Sequence, residues 1–237
     1  LMSFYLLLGV IILFGSMQSI FGIGLLIFGT PLLLIFGYDF VEVLWILLPT
    51  SCSLSLFQIT ENYKLIEAKK EVFFLTLPML ILSLLIILNF EFFNIKKIVG
   101  VFLILTTFIR FFNLSKKLSE IIMLKGKNLM YLLIGFIHGL SNLGGGPLAV
   151  LESSIHKDSK AISSNIAFVY LILATSQIII LLIYKSEMFI PYYLIFIPIV
   201  ILNHMILRKI IYKHIISSNF NIFINIFIFV FGFICLL

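Results

Sequence analysis

The sequence predicts an all-α integral membrane protein made of two inverted-topology repeats, and three observations carry that prediction. First, 62% of the 237 residues are hydrophobic and only 11% are charged, against about 25% charged in soluble domains. Second, the apolar residues fall in continuous runs without the period-2 alternation of barrel strands, and such runs cross lipid as helices. Third, the runs come in two sets of the same order. Bilayer lipid is therefore the solvent for most of the apolar surface, including much of that of the 26 Phe.

The runs occupy residues 4–20, 25–36, 40–59, 72–90 and 98–112, then 129–143, 147–155, 161–184, 188–207 and 220–237. Each set reads long, short, long, long, long. A displacement of 120 residues carries Gly15 to Gly135, Gly24 to Gly144, Glu67 to Glu187 and Pro78 to Pro198, while 119 carries Asp39 to Asp158 and Gln58 to Gln177. A near-constant register across such residues is the mark of an internal repeat. The expected organisation is a first membrane repeat over 1–113, a cytoplasmic linker over 114–127 and a second membrane repeat over 128–237. Each repeat has a glycine-broken first helix, a short half-helix and three spanning helices.

The first run lacks a basic leader and a small-residue cleavage site, so it reads as a retained segment. The second and seventh runs are too short for the roughly 20 residues of a spanning helix. If each pairs with the helix before it and returns to the starting face, Lys and Arg divide 13 to 3. The minority is Lys96, Lys97 and Lys185. Letting each long helix cross alone gives 9 to 7, which carries no orientation signal. The first arrangement puts both termini outside and the lysine-rich loops in the cytoplasm. Each repeat then crosses an odd number of times, so the two are inverted, which is a common ground plan of secondary transporters.

Between the long and short runs stand Ser19-Ile20-Phe21-Gly22-Ile23-Gly24 and Gly139-Leu140-Ser141-Asn142-Leu143-Gly144-Gly145-Gly146-Pro147. Clustered glycines favour no regular helix, and Pro147 suits the first position of a new one. Backbone groups freed at membrane depth must face protein or a watered cavity. Each short helix begins with free N–H groups and about half a positive charge, which attracts an anion without Lys or Arg. Gly15, Ser19, Gly135 and Gly139, four apart in pairs, read instead as close helix packing.

FGIG (Phe21 to Gly24) and LGGGP (Leu143 to Pro147), each followed by an apolar run, an Asp-led helix start and a Ser/Thr-bearing helix, resemble the duplicated signature of the sulfite exporter TauE/SafE family. Leu25 and Leu26 stand where further glycines are common. The resemblance implies a multi-span inner-membrane or plasma-membrane transporter of sulfur-containing anions such as sulfite, thiosulfate or sulfonates.

Polar residues within the runs supply the remaining site candidates. His138 lies one turn before the second break, and Gln18 is its counterpart in the first repeat. Ser51, Ser55 and Gln58 share a helix face, as a second polar wall or as interhelical hydrogen bonds; Gln177 lies in the matching region. The substrate-facing set is thus Gln18, Gly22, Gly24, Ser51, Ser55, Gln58, His138, Ser141, Asn142, Gly144, Gly145, Gly146 and Gln177. Glu152 reads as a solvated helix end beside Ser153, Ser154 and Lys157, with a proton-coupling role for it or His138 as the alternative. Asp39 and Asp158 read as N-caps, Glu42 adding a box-like D-x-x-E. His156, His204 and His214 show no metal spacing, and Cys52 and Cys235 read as small core residues.

The expected function is secondary transport of a small anion held near the midplane, with a proton or sodium ion as candidate coupling ion. The other readings are a small-solute channel and a non-transporting scaffold subunit. No HExxH, GxSxG with partner His, or paired Asp occurs, so an intramembrane enzyme is not expected. No GxxxxGK[ST] loop or polar domain offers ATP-driven work. The net charge of +6 follows topology, so nucleic acid is not an expected partner, and no cofactor is indicated.

Overall fold

A computed structural model describes residues 2–67, 69–90, 94–111, 126–211 and 229–237. Most of the linker, with Lys116, Lys117 and Lys125, and the stretch with Lys213, His214 and the start of the last run, lie outside the described residues. The rest is helical, with no strand among the described residues. The order is α1 (Met2–Phe21), α2 (Leu25–Ile35), α3 (Phe40–Glu61), α4 (Leu77–Asn89), α5 (Ile95–Phe111), α6 (Lys127–Ser141), α7 (Gly145–Ile155), α8 (Ser159–Tyr184) and α9 (Phe196–Ile211), then a helical segment over 229–236. By length and composition four stretches are apolar enough to cross a membrane: Phe4–Phe21, Phe40–Glu61, Val72–Asn89 and Ser159–Tyr184. The protein is a multi-pass membrane protein.

Helix boundaries follow local chemistry. The Asp39 carboxylate accepts from Val41 N at 2.8 Å and that of Asp158 from Ala161 N at 3.1 Å, so both act as N-caps. The Glu42 carboxylate turns away from the box and accepts from the Tyr193 hydroxyl at 2.6 Å. Immediately before α4 the chain makes a π-helical turn, Val72–Thr76. Pro78 explains it, because its ring crowds the carbonyl four residues back and has no N–H to return. Its counterpart Pro198 follows a 3₁₀ turn, Pro191–Ile195. Helix α7 starts at Gly145, two residues before Pro147; proline is tolerated there because first-turn N–H groups have no helical partner.

The helices interlock across the length of the chain. α3 packs on α8, α4 on α6 and α1 on α9. Glycines set the closest approaches. A Cβ at Gly135 would strike the Thr76 carbonyl, and one at Gly139 would meet the Leu80 carbonyl at 2.5 Å, so the α4 and α6 backbones are in contact. A Cβ at Gly15 would lie 2.6 Å from Val200 Cγ2 across α1 and α9. α3 runs through the middle, with Val43 to Thr50 all buried. Large apolar side chains such as Leu13, Phe74, Leu82, Ile183 and Leu202 are exposed, as lipid-facing surface requires.

Polar contacts define two poles. At one, Phe4 stacks on Phe196 with centroids 6.0 Å apart, Tyr193 meets Glu42, and Trp45 Nε1 donates to the Lys185 carbonyl at 3.2 Å. At the other, Glu61 meets His204 at 3.3 Å, Glu71 meets Lys127 at 3.2 Å and Lys69 meets Glu152. α6 begins and α7 ends at this second pole. Likewise α1 and α3 both begin at the first.

Candidate functional site

Both helix interruptions close in the same way. α1 ends where the N–H of Gly22 (φ +76°) donates to the Gln18 carbonyl at 2.8 Å, and α6 ends where the N–H of Asn142 (φ +63°) donates to the His138 carbonyl at 2.8 Å. A left-handed residue reversing the chain is a common C-terminal stop; Gly adopts it without strain and Asn tolerates it. The second turn and the start of α7 pack on α2. The Asn142 amide donates to Thr30 Oγ1 on α2 at 3.0 Å, and a Cβ on Gly145 would lie 2.9 Å from Ile27. Ser141 bonds back to the Ile137 carbonyl at 2.7 Å.

Gln18, fully buried, gathers the polar face of α3. Its Nε2 donates to Ser51 and Ser55 hydroxyls at 3.2 Å each, Ser51 donates to Gln18 Oε1 at 3.2 Å, and Gln58 Nε2 donates to the Gln18 carbonyl at 3.0 Å. These are interhelical hydrogen bonds between α1 and α3. Gly24 packs against the same segment, its Cβ position 2.6 Å from Gln18 N. Gln58 Oε1 alone keeps no partner in this group.

His138 and Gln177 occupy the corresponding places on α6 and α8, with Tyr170 where α3 has Ser51. All three are fully buried. The imidazole faces the Gln177 amide, and its centroid lies 5.9 Å from that of Tyr170. Gly144 packs on the ring, its Cβ position 3.0 Å from His138 Nδ1, while a Cβ on Gly145 would coincide with the Tyr170 hydroxyl. Gly146 lies to the side, its Cβ position 3.6 Å from Thr106. Neither His138 nitrogen, neither polar atom of Gln177, nor the Tyr170 hydroxyl completes a hydrogen bond.

The family model described as Sulfite exporter TauE/SafE matches residues 7–234. The chain belongs to that family. No curated protein and no solved structure shows significant similarity to it. TauE/SafE membership makes it a membrane transporter protein of a family associated with sulfur-type anions.

Tyr170 escapes sequence reading in this TauE/SafE chain because a tyrosine inside an apolar run looks like core. The signal that finds it is the repeat register, since 119 residues separate it from Ser51. Glu152 is a correction. Instead of a solvated helix end it is fully buried, and Lys69 Nζ donates to both its oxygens, at 2.7 Å to Oε1. His156 Nε2 stands 3.5 Å from the same carboxylate. The reason is the connection before α4: the Asn165 side chain accepts from Glu67 N and donates to the Leu65 carbonyl, pinning that strip over the end of α7. Among the described side chains, no other Lys, Arg, Asp or Glu is buried. Nearby, the N–H of Glu71 itself, then Lys127, holds the Glu71 carboxyl below its ordinary range. His204 also faces a carboxylate, that of Glu61, and no group of three or more His, Cys, Asp or Glu fit for a metal occurs among the described residues.

Proposed function

We propose that this TauE/SafE protein is a secondary transporter of small sulfur-containing anions, sulfite, thiosulfate or organosulfonates, bound between the two helix interruptions. One observation carries the reading: a helix interruption in each repeat is followed by a short helix, and the two short helices approach each other beside buried amides and an imidazole, through Asn142 with Thr30 and Gly145 with Ile27. Such discontinuous helices aim N–H groups and partial positive charge at anionic substrates. Gln18, Ser51, Ser55 and Gln58 supply one wall, and His138, Ser141, Asn142, Gln177 and the glycines the other. A proton or sodium ion is the candidate coupling ion.

The packing supports two repeats exchanged by a pseudo-two-fold axis. α1 on α9 and α6 on α4 are each a first helix against the fourth of the other repeat, and α3 on α8 pairs the two third helices. With the basic pole in the cytoplasm, the axis lies in the membrane plane and the repeats are inverted, in the inner or plasma membrane. Cysteines at Tyr63 and Glu187, on a background lacking Cys52 and Cys235, are expected to react with an impermeant reagent from opposite sides of the membrane. Labelling from one side would overturn this topology.

Counterflow decides the function. Proteoliposomes preloaded with unlabelled sulfite, thiosulfate or methanesulfonate are expected to accumulate the labelled form of at least one of them transiently against its gradient. A channel equilibrates tracer without overshoot, and a scaffold admits none.

A further inference from the structure

The two polar groups at the interruptions are equivalent by register and opposite in state. In the first, every side-chain nitrogen is engaged: Gln18 Nε2 with Ser51 and Ser55, Gln58 Nε2 with the Gln18 carbonyl. The atom left over, Gln58 Oε1, is an acceptor and repels an anion. In the second, Tyr170 O–H, both polar atoms of Gln177 and the ring nitrogens of His138 are buried and complete no hydrogen bond, with the imidazole facing the Gln177 amide. Ala174 is part of the cause, because it stands 119 residues after Ser55 and offers no hydroxyl. Burying such groups without partners costs about 1–3 kcal/mol apiece, so a native protein that keeps several together holds them for something that pairs with them. The neutral imidazole donates through one nitrogen and accepts at the other, so the group presents donors on three side chains beside the Gln177 carbonyl, where the first group has only an acceptor left over. The Tyr170 hydroxyl lies against Gly145, the first residue of α7, whose N–H stands at the helix start while that of Gly146 donates to the Leu143 carbonyl at 3.4 Å and that of Leu148 to the Gly144 carbonyl at 3.1 Å.

Resting on the transporter reading above, we propose that the polar grip on the anion is one-sided: His138, Tyr170 and Gln177 donate to it at the start of α7, while the Gln18 group only braces the opposite wall. A consequence is selection by charge. The buried cation Lys69 is bound to Glu152, so the grip consists of neutral donors and one helix end worth about half a charge. Removing an ion from water costs in proportion to the square of its charge, whereas fixed neutral dipoles compensate only in proportion to the charge itself. Singly charged oxyanions therefore bind in preference to doubly charged ones of the same size.

Methanesulfonate and sulfate, near in shape and differing by one charge, are the probes, titrated calorimetrically into purified full-length protein together with sulfite and thiosulfate. Methanesulfonate is expected to bind at least about tenfold more tightly than sulfate, a difference of 1.4 kcal/mol or more. Tyr170→Phe, which keeps the ring, is expected to weaken methanesulfonate about tenfold, and Ser51→Ala by less than about twofold, the usual scale of an interhelical bond. Sulfate binding as tightly as methanesulfonate, or equal losses in the two variants, overturns the one-sided neutral grip and leaves the transporter reading standing. Failure of the wild type to bind any of the four anions overturns the transporter reading, and this inference with it. Melting curves of both variants confirm the fold; if Tyr170→Phe does not fold, Gln177→Leu carries the same expectation.

Discussion

Gly145→Leu abolishes anion binding. The first carbon of the new side chain coincides with the Tyr170 hydroxyl and the rest advances toward Ile27, so the intrusion crowds the wall at which the anion is proposed to bind. Overpacking an ordinary core costs about 1–3 kcal/mol; here the added atoms also displace the donor and crowd the α7 N-terminus. An affinity loss of about a hundredfold or more is expected by calorimetry, against a melting temperature lowered by a few degrees. Gly145→Ala separates the two effects, since Tyr170→Phe removes the atom it strikes and should restore the lost stability in the double variant. Normal affinity in Gly145→Leu would take the second interruption out of the site. Gly135 is no neutral control: read from sequence as a packing stripe, it lies on the Thr76 carbonyl, so Gly135→Ala pushes apart α4 and α6. Gly9, with nothing within 4 Å of its Cβ position, serves instead.

The second large effect concerns the buried ion pair. Lys69→Met leaves the Glu152 carboxylate in the interior with only His156 nearby, and Glu152→Leu strands the ammonium. Either change is expected to destabilise the folded protein by roughly 3–5 kcal/mol, the usual result of orphaning one partner. Lys69→Met with Glu152→Leu should recover most of it, because an apolar pair of similar volume needs no desolvated charge. Denaturant titration in detergent of the two single variants and the double variant measures the coupling. Additive losses would mean that the contact contributes little.

Apolar runs and glycine punctuation announced the helices, because lipid forces backbone pairing within each segment and leaves few alternatives. Asp39 and Asp158 were equally legible, since capping depends on residues two or three positions away. The i, i+4, i+7 spacing placed Ser51, Ser55 and Gln58 on one face, whereas Gln18 as their partner, 33 to 40 residues away, shows only in the fold. What escaped depends on distant partners. Glu152 looks solvated beside Ser153, Ser154 and Lys157; only the docking of the Leu65 and Glu67 strip on Asn165 brings Lys69, 83 residues away, to cover it. Tyr170 reads as core because nothing local distinguishes a tyrosine that packs from one whose hydroxyl is unpaired. The π turn before α4 was hidden too, although Pro78 supplied its cause.

The ion pair also fixes an order of assembly. A chain is made from its N-terminus, and early segments begin to organise before later ones exist. Gln18, Ser51, Ser55 and Gln58 all emerge in the early part and satisfy one another, so α1 and α3 carry their amides into lipid already paired. Lys69 emerges there as well, but its carboxylate is translated 83 residues later. Until α7 arrives, the ammonium must stay in water at the membrane surface, and the connection that bears it stays open. That seam over the end of α7 can shut only after the second half of the chain has begun to arrive.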